Sequence, residues 1–233
     1  VEFSEHKEYA YGDDIQHIDW KIFAKSDKYY VKQFEQESNI ECFLVIDTSG
    51  SMGYTSRTSG VVKFQSAALL LAAIAHIASG QRDRVGIAWG AEKNVQVLPA
   101  RSSPGHLREI FSALDGVVVA GQTNLAATVG AIAPVVKRRA VVFVFSDFFD
   151  QGVEEYLTAL GLLRVKPCDI HLVQILSQEE VEFPFERLTM FESIEDIHRL
   201  LCEPDAIRKA YLAKMSAFMA ELERECERRD GVD

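Results

Sequence analysis

Ile40-Glu41-Cys42-Phe43-Leu44-Val45-Ile46 followed by Asp47-Thr48-Ser49-Gly50-Ser51 decides how this chain is read. The run Ile40 to Ile46 is apolar enough for a buried strand, and it ends on an acid followed by closely spaced hydroxyls. Hard divalent cations such as Mg²⁺ are held by such oxygen donors, in near-octahedral geometry and usually with water retained. Ser, Thr and Asp also cap helices by accepting hydrogen bonds from free backbone N–H groups. The pentapeptide alone therefore leaves an ion site and a helix cap both open.

Two later segments bear on the choice. Ala140 to Phe145 is continuously apolar and reads as a second buried strand, ending at Ser146-Asp147. Parallel neighbouring strands would bring Asp47 and Asp147 side by side, in the crevice where open α/β sheets bind ligands. Between them, the loop Gly121-Gln122-Thr123-Asn124-Leu125 offers Thr123 as a further hydroxyl. With these additions the ion reading outweighs the cap.

Asp47, Ser49, Ser51, Thr123 and Asp147, in that order, resemble the metal-ion-dependent adhesion site of von Willebrand factor A domains. Three segments before the site narrow the resemblance. Glu2 to His6, Tyr11-Gly12-Asp13-Asp14-Ile15-Gln16-His17-Ile18-Asp19-Trp20 and Tyr30 to Glu37 are similar to the opening of the DUF58 family. The resemblance runs over essentially the whole chain. It implies Mg²⁺, or Mn²⁺ or Ca²⁺ in its place, with one coordination position open to a partner's carboxylate. It also implies a MoxR-type AAA+ ATPase as partner, in chaperone-like assembly or cofactor insertion into a client. Members of the family usually carry upstream sequence, sometimes with membrane-spanning helices; this chain starts at Val1 inside the signature, so further sequence is expected before it.

The 233 residues suffice for one large α/β domain with a sizeable core. A net charge of −10 disfavours non-specific nucleic-acid binding, which depends on clustered Lys and Arg. Cys42, Cys168, Cys202 and Cys226 form no C-x-x-C pair, which argues against a zinc site and for buried free thiols in a reducing compartment. No signal peptide is found, and the longest apolar patch, Ala67 to Ala75, is too short to span a bilayer. The expected location is the cytoplasm.

Element by element, residues 1–39 read as an N-terminal arm, 40–176 as the core, and 177–233 as a hairpin and C-terminal helix, all within one domain. Strands are expected at Tyr29 to Phe34, Ile40 to Ile46, Arg84 to Trp89, Asn94 to Leu98, Ala140 to Phe145 and Asp169 to Ile175. Helices are expected at Val61 to Ala78, Pro104 to Leu114 with Ser103 as cap, Asn124 to Val136, and Val153 to Leu163. The first of these is apolar nearly all round, the mark of a helix packed centrally. The alternation predicts a Rossmann-like, doubly wound, mostly parallel sheet with helices on both faces. Beyond it, Leu188 to Glu192 and Ile197 to Leu201 can pair through Ser193-Ile194-Glu195-Asp196. Pro204 then opens a long helix with Ile207, Tyr211, Met215, Phe218, Leu222 and Cys226 on one stripe.

In the arm, Gly12-Asp13-Asp14 to Asp19-Trp20 invites a second acidic site, but the favoured reading is structural: the aspartates bind backbone turns, with Trp20 as an anchor. The six histidines show no ligand-like spacing. The chain has no G-x-x-x-x-G-K-[ST], and Gly50-Ser51-Met52-Gly53 lacks the spacing of a nucleophile elbow. Asp47-Thr48-Ser49 is followed by a helix rather than by the β-loops that an aspartic-protease dyad needs. A metal-dependent phosphohydrolase remains as the enzyme alternative, but the loops supply no evident His or Lys as base. The expected role is a metal-dependent protein–protein interaction module without catalytic residues.

Overall fold

The computed structural model describes residues 2–35, 40–91, 94–136, 139–149, 158, 160–161, 163, 165, 168–192 and 199–230. The chain divides into two compact units, Val1–Asn39 and Ile40–Asp233.

In the first unit, β1 (Glu2–Glu8) pairs antiparallel with β2 (Tyr30–Glu35), with a register shift between Phe3 and Glu5. β1 is an unexpected strand. Its sequence, EFSEHKE, carries too many charges to show an apolar face, and backbone pairing with β2 makes it a strand. A 3₁₀ turn at Ile15–His17 and helix α1 (Trp20–Ser26) complete the unit. The aspartates behave as local caps: Ala10 N–H donates to Asp13, Gln16 N–H to Asp14, and the Lys21 and Ile22 N–H groups to Asp19. Asp19 also lies 3.1 Å from His6 Nε2 and 3.3 Å from Lys32 Nζ. The His6 hydrogen bond leads the causes that hold its carboxyl well below the usual range. Trp20 is not an anchor. Its side chain is exposed and meets the Phe23 ring edge-on.

The second unit is built on a five-stranded sheet ordered β5-β4-β3-β6-β7. The strands are β3 (Glu41–Asp47), β4 (Arg84–Ala91), β5 (Asn94–Arg101), β6 (Ala140–Ser146) and β7 (Cys168–Gln174). β3, β4, β6 and β7 run parallel, and β5 pairs antiparallel with β4. Pro99 is tolerated in β5 because that strand is at the edge, where one missing N–H breaks no ladder. From β3 the chain passes outward to β4 and β5, then returns to the other side of β3 as β6. The carboxyl ends of β3 and β6 therefore flank the topological switch point, where α/β sheets open a crevice.

Alternation along β3 feeds two cores. Phe43 and Val45 pack with Val129, Ile132, Val142 and Val144 on one face; Leu44 and Ile46 pack with Leu71, Ile87, Ile110 and Phe145 on the other. The first face is covered by α4 (Leu125–Ile132) and by Leu222, the second by α2 (Lys63–Gly80) and α3 (His106–Asp115). α2 is not packed all round. Phe64, Ala67, Leu71, Ala75 and Ala78 form its buried stripe, while Leu69 and Ile77 are 73% and 60% exposed.

Helix ends differ from expectation for local reasons. Ser103 does not cap α3; its carbonyl accepts the His106 N–H, and the helix starts after Gly105. Asn124 lies outside α4 as its cap, accepting from Ala127 N–H at 3.0 Å, and the helix stops two residues before Pro134. The helix expected over Val153 to Leu163 falls largely outside the described residues, although Leu160 and Leu163 are buried in the core. The turn residues Glu92 and Lys93, and those joining the later hairpin, also fall outside them.

After β7 comes a short helix the sequence reading passed over, α5 (Gln178–Glu182). Then β8 (Thr189–Glu192) pairs antiparallel with β9 (Arg199–Cys202), and α6 runs over Pro204–Asp230. Met215 and Leu222 on its expected stripe are buried. All four cysteines are free thiols, but Cys42 alone is buried, the other three being half-buried. Burial, with Asp83 adding, pushes the Cys42 thiol up to about 12.

Candidate metal-ion site at the sheet edge

Asp47 is the last residue of β3, and its side chain is fixed from two sides. Oδ1 accepts the Ser49 N–H at 2.9 Å, a tight turn that aims the following hydroxyls back at the strand end. Oδ2 accepts the Ser146 hydroxyl at 2.7 Å from the neighbouring β6. Ser49 Oγ and Ser51 Oγ lie 3.1 Å apart. Asp47, Ser49, Ser146 and Asp147 are all buried. Burial pushes Asp47 up to about 6, and the charge of Asp147 adds to it against the hydrogen bonds from Ser49 and Ser146.

Backbone hydrogen bonds bring in the third loop. Gly50 N–H donates to Gly121 C=O at 2.8 Å, and Ala120 N–H donates to Thr48 C=O at 3.0 Å. Gly121 takes φ +86°, which glycine adopts without strain. Thr123 is thus carried on a loop pinned to the Ser49-Gly50 turn. The structure brings Asp47, Ser49, Ser51 and Asp147 to one strand edge, with the Thr123 loop beside them.

Asp147 follows β6 and is committed differently from Asp47. Its Oδ1 accepts the Phe149 N–H at 3.1 Å, and its Oδ2 accepts Lys63 Nζ at 2.7 Å. Lys63 also donates to Glu180 Oε1 at 2.8 Å. Neither Lys63 nor Glu180 was found from the sequence, where a His or Lys base was sought only in the loops, whereas Lys63 opens α2. Glu180 had a legible signal: Ser177-Gln178-Glu179-Glu180 is a capping box, and both of its reciprocal hydrogen bonds form. Lys63 had a fainter one, a cation in the first turn of a helix, where the macrodipole disfavours it.

Phe148, between Asp147 and Phe149, is fully buried with φ +61°. Bulky side chains rarely adopt that conformation, and such residues cluster where surrounding structure enforces them. Here Ser146 Oγ accepts the Phe148 N–H at 3.0 Å. Ser146 is therefore a hinge pin, donating to Asp47 and accepting from Phe148. Ser146→Ala leaves both partners buried without it and is expected to destabilise the unit by about 1–3 kcal/mol. A lower urea midpoint at unchanged slope would show it; an unchanged midpoint would contradict it.

The residues fit a hard cation. One buried carboxylate with two hydroxyls, and a second carboxylate one strand away, is oxygen-only chemistry of the kind Mg²⁺, Mn²⁺ or Ca²⁺ takes. Among the described residues no group of three or more His, Cys, Asp or Glu gathers as a metal cluster, so an ion here would depend on the hydroxyls. Beside the site lies a cavity of about 610 Å³, lined by Thr48, Trp89, Asn94, Val95, Val117 and Gly121 among others, with no charged residue among the described ones that line it. It falls in the size range of ligand pockets.

Another buried carboxylate secures the loop leading into α2. Glu179 Oε1 accepts from Ser56 Oγ, Thr58 N–H and Thr58 Oγ1 at 2.8–3.2 Å. Burial by itself would raise this carboxyl, but hydrogen bonds from its own backbone, Thr58 and Ser56 bring it down to about 2 from 4.5. A depressed carboxyl contributes stability above its unfolded value that is lost as pH falls toward its folded value. The advantage of wild type over Glu179→Gln in thermal midpoint is therefore expected to shrink as pH drops from about 4.5 toward 2. A gap constant over that range would overturn this assignment.

Among the described residues, no helix is long and apolar enough to cross a membrane. Over residues 5–220 the sequence matches the family described as "Protein of unknown function DUF58". It is 25% identical over 179 residues to uncharacterized proteins of Mycobacterium tuberculosis and Mycobacterium bovis, covering 76% of this chain and 55% of each relative. The chain thus spans about half the length of the curated relatives it matches. Among solved structures, an aerotolerance-related membrane protein from Bacteroides fragilis NCTC 9343 with multiple mutations to serines aligns with TM-score 0.50 and 14% identity, over 76% of this chain and 87% of that one. The SpRpn10 VWA domain aligns with TM-score 0.42 and 15% identity, over 60% of this chain and 90% of that one. Matched over nearly its whole length, the chain belongs to the DUF58 family, and its mostly parallel sheet with flanking helices is an α/β fold.

Proposed function

We propose that this chain is a metal-dependent protein-interaction module. In this reading Asp47, Ser49, Ser51 and Thr123 hold a divalent cation, Mg²⁺ or else Mn²⁺ or Ca²⁺, and Asp147 completes the shell directly or through water. The ion supplies an electrophilic position to which an acidic side chain of a partner protein can bind. The observation that carries the reading is the convergence of a buried carboxylate and the Ser49–Ser51 hydroxyl pair on the carboxyl edge of the central strand. The cavity beside it offers room for residues flanking the partner's acid. Family membership supports a MoxR-type AAA+ ATPase as that partner, in chaperone-like assembly or maturation of a client. Four free thiols suit a reducing compartment such as the cytoplasm.

The phosphohydrolase alternative gains little from the fold. The basic group that folding adds, Lys63, already donates to two carboxylates, so it is not placed as a base for water.

The test is binding of the MoxR-type ATPase of the same organism to the immobilised chain, with Mg²⁺ and then with EDTA, for wild type and Ser49→Ala. The reading expects binding that EDTA and the substitution both abolish. Binding indifferent to EDTA overturns the metal dependence, and no binding in Mg²⁺ overturns the partner.

A further inference from the structure

Lys63 is the first residue of α2, and residues 64–80 after it contain no Asp, Glu, Lys or Arg. A cation is unfavourable at a helix N-terminus, and a buried one needs ionic partners. Its side chain is 2% exposed. It is held by Asp147 Oδ2 at 2.7 Å and Glu180 Oε1 at 2.8 Å, with the Phe149 ring centroid 5.3 Å from Nζ. One of these partners, Asp147, belongs to the candidate ion site. The other two lead to α6. The Glu180 backbone carbonyl accepts the Tyr211 hydroxyl at 2.9 Å, and the Phe149 ring lies 5.4 Å from that of Phe218.

We propose that Lys63 is a positioning residue that sets ion affinity at the sheet edge and couples ion occupancy to the C-terminal helix. The proposal rests on the ion-site reading above and adds a regulator to it. Asp147 serves two cations, and the ammonium neutralises it before any ion arrives. A divalent ion must share that carboxylate with Lys63 and bear the repulsion of a charge held beside it in a site with little water to screen it. When the ion draws on Asp147, Lys63 leans further on Glu180. That shifts α5, whose capping box Glu180 closes, against Tyr211 of α6. Glu180 is thereby the handle by which the C-terminal region favours or opposes the ion.

The test is Mn²⁺ titration by calorimetry of four purified forms: wild type, Lys63→Met, Glu180→Gln and the double variant. Lys63→Met is expected to bind Mn²⁺ at least about tenfold more tightly, because the competing charge is gone. Glu180→Gln, at a side chain that is 20% exposed, leaves the ammonium to Asp147 alone and is expected to bind several-fold more weakly. In the Lys63→Met background the same change should have no effect, since the coupling runs through the ammonium. Hydrogen exchange of α6 around Tyr211 should respond to Mn²⁺ in wild type and not in Lys63→Met. Equal affinity in all four forms overturns the role of Lys63 and leaves the ion site standing. No Mn²⁺ uptake by any form overturns both. Should Lys63→Met fail to fold, Glu180→Gln decides alone: weaker binding supports the coupling, and unchanged binding overturns it.

Discussion

Asp47→Ala is expected to lower the affinity for Mg²⁺ and Mn²⁺ by more than about 100-fold, beyond the 10- to 100-fold that follows loss of a partner hydrogen-bonded to a ligand. The reason is the concentration of roles in one side chain. Asp47 supplies charge at the centre of the strand edge, organises the Ser49 turn through Oδ1 and links β3 to β6 through Oδ2. Asp47→Asn separates charge from shape: its amide oxygen can still accept the Ser49 N–H, so the turn is retained while the charge is lost. Both variants should fail to take up ions in calorimetric titration, with Asn keeping a melting temperature near that of wild type. Ion binding by Asp47→Asn at wild-type strength would remove this carboxylate from the site. A folded wild-type protein that takes up neither ion would remove the site itself.

Phe145→Ala is expected to destabilise the second unit by about 3–5 kcal/mol, the range for truncating a large buried aromatic. Phe145 is 1% exposed, stands beside Ile46 in the β3–β6 register, and packs in the core under α2. Domains of this kind are stable by only about 5–15 kcal/mol, so this single change removes a large share of the total. Phe145 also directly precedes Ser146 and Asp147, and a cavity there would loosen the strand end that aims them. Urea denaturation should therefore show an early midpoint, and ion affinity should fall although no ligand has been altered. A shift below about 1 kcal/mol would mean that the site is positioned from elsewhere.

Where the sequence was legible, a strong local pattern agreed with what the tertiary structure required. The β3 and β6 cores are continuous apolar runs of the kind parallel, doubly covered strands need, while β7, at the sheet edge, alternates apolar with polar residues. Their assignment held to within a residue at each end. The stripe on α6 was legible for the same reason, a sustained helical period. β1 was illegible because a charged strand at the rim of a two-stranded ribbon has no pattern of its own. The exposed side of α2 was misread because Leu69 and Ile77 are as apolar as Leu71, and composition alone does not say which face meets the sheet. Trp20 failed similarly: an aromatic residue has no sequence mark that separates anchor from surface.

By itself, the sequence determined the strand–helix alternation, the acids at two strand ends and the hydroxyls that follow the first of them. Those are local matters of period, residue type and spacing, which a chain carries before it folds. Only the tertiary structure decided that β3 and β6 are neighbours at the switch point, so that Ser146 reaches Asp47 across 99 residues of chain. It alone decided that Lys63, distant in sequence from Asp147 and Glu180, is buried between both. An ion pair formed over such separations leaves no period in the sequence. It exists because folding removes water from three charged groups at once, and the remaining way to satisfy them is with one another.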